Sequence, residues 1–397
     1  MSQHPRLLAI SNGHGEDDIA VKVLAALAPM VPGLEISAWP MVGAGAAYRA
    51  LGVPITGPGN HLPGEGFGTL GLGLFLRDLR HGFIGTHWRQ FRHARALRGC
   101  HDLLLGVGDV IPLLAGTLSQ TPMAFVACAK SAYYGPPDGH TALERRLMRR
   151  NCIAVFPRDA LSARGLAAKG VSCCYLGNPM MDGLGPADDI WPLQPDQTGV
   201  LMLAGSRRDA PENMALLLAA AAGLAENAPS PARLRFLFAL HPSLSGAALS
   251  SQPGWEPVGD TGQAVILRHA TGAEAVLATG RIGAMARAAR LAVGLAGTAN
   301  EQAIGLGLPL ITLPGAGNQG EAYVRMKAAF FGPAAIAVSR DACALADAMR
   351  ALLDDPERQA RMAQAGRERM GDPGASEAIA ARIAARLTGI PAGSEGH

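Results

Sequence analysis

The run "GVLMLAGSRRDAPEN" carries Gly205, Ser206, Arg207 and Arg208 where an apolar segment gives way to a turn. A strand entering such a turn ahead of a helix leaves backbone N–H groups pointing outward. With two guanidinium groups beside them, that is the chemistry of a diphosphate site. The same residues also read without a ligand: Ser206 followed by Asp209 is a variant capping box, and the arginines are a solvated turn. A second segment, "GLAGTANEQAIGLGLPLITLPG", repeats the theme. Gly294, Ala296 and Gly297 let a ligand approach the backbone, and Thr298 opens a helix whose N-terminus attracts phosphate. Glu301 in the first turn can accept both hydroxyls of a ribose, although Thr298 to Glu301 is also a complete capping box. The next loop, "LPGAGNQGEAY", places Asn318, Gln319 and Glu321 after a further strand, suited to reading sugar hydroxyls. Two consecutive strand ends with hydroxyl-binding chemistry fit a nucleotide sugar.

The first half of the chain offers a different chemistry. "SNGHGEDD" (residues 11–18) is glycine-rich and precedes a helix, but it lacks the G-x-G-x-x-G spacing. Its carboxylates Glu16, Asp17 and Asp18 suit a helix N-terminus and repel a pyrophosphate, which argues against a nicotinamide site. His14, between two glycines, and Glu16 are candidates for binding an acceptor or removing a hydroxyl proton. Asp109 in "LLLGVGDVIP" emerges from a very apolar strand, where desolvation raises a carboxyl pKa toward the range of a general base. It also reads as a helix N-cap ahead of Pro112. Residues 64–98 combine apolar side chains (Phe67, Leu74, Phe75, Trp88) with Arg77, Arg80, Arg89, Arg92, Arg95 and Arg98. That mixture suits an interfacial helix on anionic lipid, or a core helix followed by a solvated basic one. Few aromatics interleave the arginines, so nucleic acid is disfavoured.

These residues need elements to hold them, and the chain supplies alternating ones. Leu7–Ile10 reads as a strand, Ile19, Val23 and Leu27 as one face of a helix, and the alternation continues through "HDLLLGVG", "TPMAFVACA" and "NCIAVFPRDA". After a Pro/Gly/Asp-rich stretch at 183–197 it begins again. The chain has 397 residues, 49% apolar and 17% charged, enough for two buried cores. The fold class expected is α/β, two Rossmann-like doubly wound domains facing a cleft. The boundaries are 1–182 for an acceptor-side domain, 183–197 for a linker, 198–375 for a nucleotide-sugar domain and 376–397 for a C-terminal helix and tail. A net charge of +3 gives no global case for nucleic acid. Six cysteines show no CxxC pair, which points to a reducing cytoplasm and no disulfide framework. No signal-peptide pattern and no apolar run of about 20 residues is present, so a cytoplasmic protein is expected, peripheral on the inner face of the membrane.

At these motifs the sequence resembles the lipid-A-disaccharide synthase family, in its branch of related proteins. "LLAISNGHGEDDIAVKVL", "LGNPMMDGL", "LMLAGSRRDAPENM" and "GLAGTANEQAIGLGLPLITLPG" carry the resemblance in order across nearly the whole chain. The family implies the GT-B fold and inverting transfer from a UDP-sugar, the only cofactor-like molecule, to a lipid-linked acceptor. It implies no catalytic metal, and no DxD motif is present. On this resemblance Ser206 and Arg207 match the donor loop, Thr298 and Glu301 match the uridine- and ribose-proximal helix, and Asp109 matches the acid after the central N-terminal strand. The histidine-glycine-glutamate pattern of the opening loop is absent from the family's main branch. The alternatives are a UDP-sugar epimerase of the same fold and a non-catalytic nucleotide- or lipid-binding protein. A homodimer is compatible with the sequence, which has no residue that requires one.

Overall fold

The structure, a computed structural model, describes residues 4–59, 83–135, 137–206, 209–241, 244, 253–315 and 320–389. They divide into two compact units, one built from residues up to 182 together with those from 372 onward, the other from 183 to 371.

In the first unit, β1 (Arg6–Ser11), β2 (Glu35–Pro40), β3 (Leu103–Val107), β4 (Met123–Ala127) and β5 (Cys152–Pro157) form a sheet in the order β2-β1-β3-β4-β5. Every pairing is parallel. Side chains alternate across the strands. Leu7, Ala9, Leu103 and Leu105 face α1 (His14–Leu27) and α13 (Ala375–Thr388). Leu8, Ile10, Leu104 and Phe125 face α3 (Phe83–Ala96) and α4 (Val110–Ser119). A sheet covered on both faces needs apolar side chains at every position, and β3 and β4 are buried throughout. Helices α2 (Ala46–Ala50), α5 (Ala142–Asn151) and α6 (Ala160–Ala168) complete the unit.

The second unit has the strand order β13-β12-β11-β6-β7-β10-β9-β8. β6 (Thr198–Leu203), β7 (Leu234–Leu240), β10 (Glu274–Thr279), β11 (Ala289–Gly294), β12 (Leu310–Thr312) and β13 (Ala335–Ala337) run parallel. β8 (Trp255–Asp260) and β9 (Ala264–His269) add an antiparallel hairpin that the sequence reading lacked. Helices α7 (Ala210–Glu226) and α11 (Ala342–Leu353) pack on this sheet through Met214, Leu217, Leu345 and Met349. The unit also contains α8 (Ile282–Ala288), α9 (Thr298–Gly305), α10 (Glu321–Phe331) and α12 (Pro356–Met370).

The division differs from the sequence-derived boundaries in two respects. Residues 183–197 belong to the second unit, where Arg287 donates to the carbonyls of Leu184 and Gly185, both at 3.0 Å. Residues from 372 onward return to the first, because the apolar face of α13 (Ile379, Ile383, Leu387) is buried with that of α1. Asp182 fixes the return, its carboxylate accepting from the N–H of Gly374 at 2.5 Å and of Ser376 at 2.7 Å. Asp182 thus caps α13 from 192 residues away. No helix among the described residues is long and apolar enough to cross a membrane.

Candidate active site

In the second unit the two glycine-rich turns lie side by side. β6 and β11 pair in parallel with Leu203 opposite Gly294, and the Leu295 N–H donates to the Leu203 carbonyl at 2.9 Å. Gly205 (φ +89°) follows, and a Cβ there would stand 3.3 Å from the Leu295 carbonyl oxygen. Ser206 is exposed at the turn. The alternative capping box from Ser206 is not formed, since α7 starts after Asp209 with no side-chain cap. Arg207 and Arg208 lie outside the described residues.

At the end of β11, α9 begins with Thr298 as its first residue and Gly297 as its N-cap, again without a side-chain cap. The Thr298–Glu301 capping box is therefore absent too. First-turn N–H groups that no side chain among the described residues caps are of the kind an anion accepts from. Asn300 in that turn donates to the Gly294 carbonyl at 3.1 Å, and Thr312 at the end of β12 donates to the same oxygen at 3.0 Å. Glu301, 3% exposed, pairs with Lys327 of α10, Nζ 2.5 Å from Oε1. The ammonium lies 5.4–5.9 Å from the ring centroids of Tyr323, Phe330 and Phe331. Glu321 is exposed and pairs with Arg325 at 3.4 Å. Asn318 and Gln319 lie outside the described residues. Lys327 and Thr312 were not foreseen; they join the site across 26 and 18 residues, separations that leave no local spacing to read.

In the first unit, Asp109 caps α4 by accepting the Ile111 N–H at 2.8 Å on Oδ1. The same oxygen accepts from Asn12 Nδ2 at 2.6 Å. Oδ2 has no hydrogen-bond partner among the described residues. The cap and the raised pKa expected of Asp109 therefore coexist. Burial pushes its pKa up, offset by the Ile111 N–H, with Glu144 raising it and Lys130 and Asn12 lowering it. Lys130, just beyond β4, pairs with Glu144 at 2.7 Å. Between Asn12 and Asp109 sits Gly108 (φ +130°), whose missing Cβ would run into the Asn12 amide oxygen and approach Glu16 Cγ at 3.4 Å. Asn12, Glu16 and Asp109 thus meet at the carboxyl ends of β1 and β3. His14 is exposed and packs instead over Gly43 (φ +75°), after β2.

Beneath them lies a buried chain of hydroxyls. Ser11 Oγ stands 2.5 Å from Asp17 Oδ1 and 2.6 Å from the Tyr48 hydroxyl. Burial pushes the Asp17 carboxyl up to about 7; the Ser11 hydrogen bond lowers it and the charges of Glu16 and Asp18 raise it. Burial also pushes the Tyr48 phenol up.

The fold, with its two α/β units, is shared with solved structures over nearly the whole length. The Staphylococcus aureus MnaA–UDP complex has a TM-score of 0.60 at 16% identity, covering 97% of both chains. The UDP-GlcNAc 2-epimerase of Neisseria meningitidis bound to UDP-GlcNAc has a TM-score of 0.56 at 13% identity, covering 95% of this chain and 99% of that one. The chain has the GT-B fold. Another GT-B structure, the glycotransferase of kitacinnamycin, has a TM-score of 0.58 at 14% identity, covering 97% of this chain and all of that one. No protein-family model and no curated protein sequence matches the chain. Identities of 13–16% carry the GT-B architecture and leave the chemistry to be argued from the residues.

Proposed function

We propose that this GT-B chain is a glycosyltransferase of the lipid-A-disaccharide synthase kind. It moves a sugar of the N-acetylglucosamine type from a UDP-sugar to a lipid-linked acceptor, with inversion and without a catalytic metal. The observation that supports this best is the adjacency of the Gly205–Ser206 turn and the uncapped start of α9 on neighbouring parallel strands. A diphosphate seated there receives backbone N–H groups from both, and Glu301, held by Lys327, takes the ribose hydroxyls. As the sugar leaves, charge grows on UDP, and fixed N–H dipoles stabilise it without reorganising.

The first unit supplies the proton acceptor in this reading. Asp109 presents Oδ2 with a pKa raised toward that of an effective base, and it takes the proton of the acceptor hydroxyl. Glu16 lies beside it, and His14 is the second candidate. The lipid-linked acceptor and a place on the inner face of the cytoplasmic membrane are supported by α3, which exposes Trp88, Arg89, Arg92 and Arg95. The remainder of the proposed membrane segment, residues 64–82, lies outside the described residues.

A second reading, a UDP-sugar 2-epimerase, is favoured by the likeness to the Neisseria enzyme bound to UDP-GlcNAc. Incubation with radiolabelled UDP-sugars, with and without membrane lipid, separates the two. Label entering the organic phase supports transfer. An epimerised nucleotide sugar formed without lipid establishes the second reading and removes the first. UDP binding with neither product leaves a non-catalytic binding protein.

A further inference from the structure

A strut built on one arginine ties together the loops after β6, β12 and β13 in the second unit. Arg340 follows β13 and directly precedes Asp341, the N-cap of α11. Its Nη1 donates to Asn213 Oδ1 at 2.9 Å and to the Pro314 carbonyl at 3.1 Å. Its Nη2 donates to Glu212 Oε1 at 2.9 Å. Asn213, 1% exposed in the first turn of α7, donates in turn to the Ala204 carbonyl at 3.1 Å. The amide is used at both ends, with its oxygen on the guanidinium and its nitrogen on the backbone, so its orientation is set by its partners.

Strand order explains why one side chain can do this. β13, β12, β11 and β6 are consecutive in the sheet and parallel, so the loops after them all lie at one edge. Pro314 is two residues beyond β12, and Ala204 is the residue before Gly205. Gly205 itself lies against the Leu295 carbonyl, in the turn after β11. The two hydrogens of Nη1 reach both loops at once, and the planar guanidinium fixes the angle between them, which a freely rotating ammonium does not.

We infer that Arg340 is a positioning residue for nucleotide recognition: through Asn213 and Pro314 it sets the backbone of the Ala204–Ser206 turn against the loop after β12. This rests on the reading of that turn as the diphosphate site. The Glu212 arm contributes little, because that carboxylate is 66% exposed and its pairing is screened by water.

The test uses the full chain with R340K, which keeps the charge and loses the fork, and R340Q as a second variant should R340K not fold. E212A, which removes only the exposed arm, is the control. Two measurements are made: UDP affinity by calorimetry, and amide exchange at residues 204–206, 313 and 315 without ligand. R340K is expected to weaken UDP at least tenfold and to speed exchange at both turns, with exchange in β7 and β10 unchanged and E212A like the unaltered chain. Unchanged exchange at either turn overturns the strut. Faster exchange with unchanged UDP affinity overturns its positioning role. Failure of the unaltered chain to bind UDP overturns the uridine-diphosphate reading instead, and the exchange data, taken without ligand, keep that outcome distinct.

Discussion

Asn12 donates a hydrogen bond of 2.6 Å to the one carboxylate oxygen of Asp109 that also caps α4. One oxygen therefore carries both hydrogen bonds, and Oδ2 has no hydrogen-bond partner among the described residues. Both donors favour the charged carboxylate and oppose the burial that pushes the pKa up. Asn12→Ala removes one of them, so the Asp109 pKa rises further. A base works only when deprotonated, so the acid limb of the kcat/KM profile should move to higher pH. Carbon NMR titration of the Asp109 carboxyl checks the same shift without an activity assay. A profile that stays in place removes Asp109 from the reaction.

Gly108 makes that contact possible. With φ at +130° and the Asn12 amide where a Cβ would stand, Gly108→Ala is strained and crowded together. The cost expected is about 2 kcal/mol or more, read from the urea midpoint. The rate of the proposed transfer should fall with it, because Asn12 has to move off Asp109.

Asp17 predicts a pH dependence of stability. Its folded-state pKa is about 7 against an ordinary carboxyl value of 3.8, so the native state holds the proton more tightly than the unfolded chain. That contribution is fully present below about pH 4 and is lost as pH rises to about 7. Asp17→Asn keeps an acceptor for Ser11 and removes the charge. The variant should gain stability over the unaltered chain across that window and hold the gain above it. The upper limit is on the order of 4 kcal/mol, at about 1.4 kcal/mol per tenfold change in proton affinity. Chemical denaturation at pH 5 and pH 8 tests this, and an equal difference at both would remove Asp17 as the cause.

The sheets were legible in the sequence because a strand buried on both faces is apolar at every position, as in Leu103–Val107. The β8–β9 hairpin was not: its residues Glu256, Pro257 and Val258 are exposed, and Pro257 and Gly259 flank a shift in register. The return of α13 was equally hidden, since the stripe of Ile379, Ile383 and Leu387 has the same period whichever sheet it covers. Gly205, Gly297 and Thr298 could be placed at a turn and a helix start because turn chemistry is local. The Asn12–Asp109 bond spans 97 residues and the Arg340–Asn213 bond 127. Pairings at such distance are set by strand order, and spacing along the chain does not encode them.

Helix α3 predicts an electrostatic affinity for anionic lipid. Gln90 and Ala94 are buried on one face, while Trp88, Arg89, Arg92 and Arg95 are exposed on the other. The Arg92 guanidinium lies 4.7 Å from the Trp88 ring centroid. Each arginine near an anionic surface is worth about 1 kcal/mol, so charge reversal at Arg89, Arg92 and Arg95 should reduce partitioning by about a hundredfold or more. Flotation with phosphatidylglycerol vesicles measures it. Binding that ignores both the substitutions and added salt shows that this face stays in water.

The Glu301–Lys327 pair separates two roles that one carboxylate can have. Lys327→Met leaves Glu301 buried without its cation, which should cost roughly 3–5 kcal/mol of stability. Adding Glu301→Gln should recover much of that loss, because the stranded charge is gone, and the difference from additivity measures the coupling. Stability alone leaves ribose recognition open, so the ligand must be varied as well. Glu301→Gln is expected to weaken UDP by about tenfold, the order expected for losing hydrogen bonds to a charged acceptor. A 2′,3′-dideoxy analogue, which has no hydroxyls to offer, should bind the variant and the unaltered chain alike. Equal weakening of both ligands would assign Glu301 to holding α9 against α10 and take it out of contact with the nucleotide.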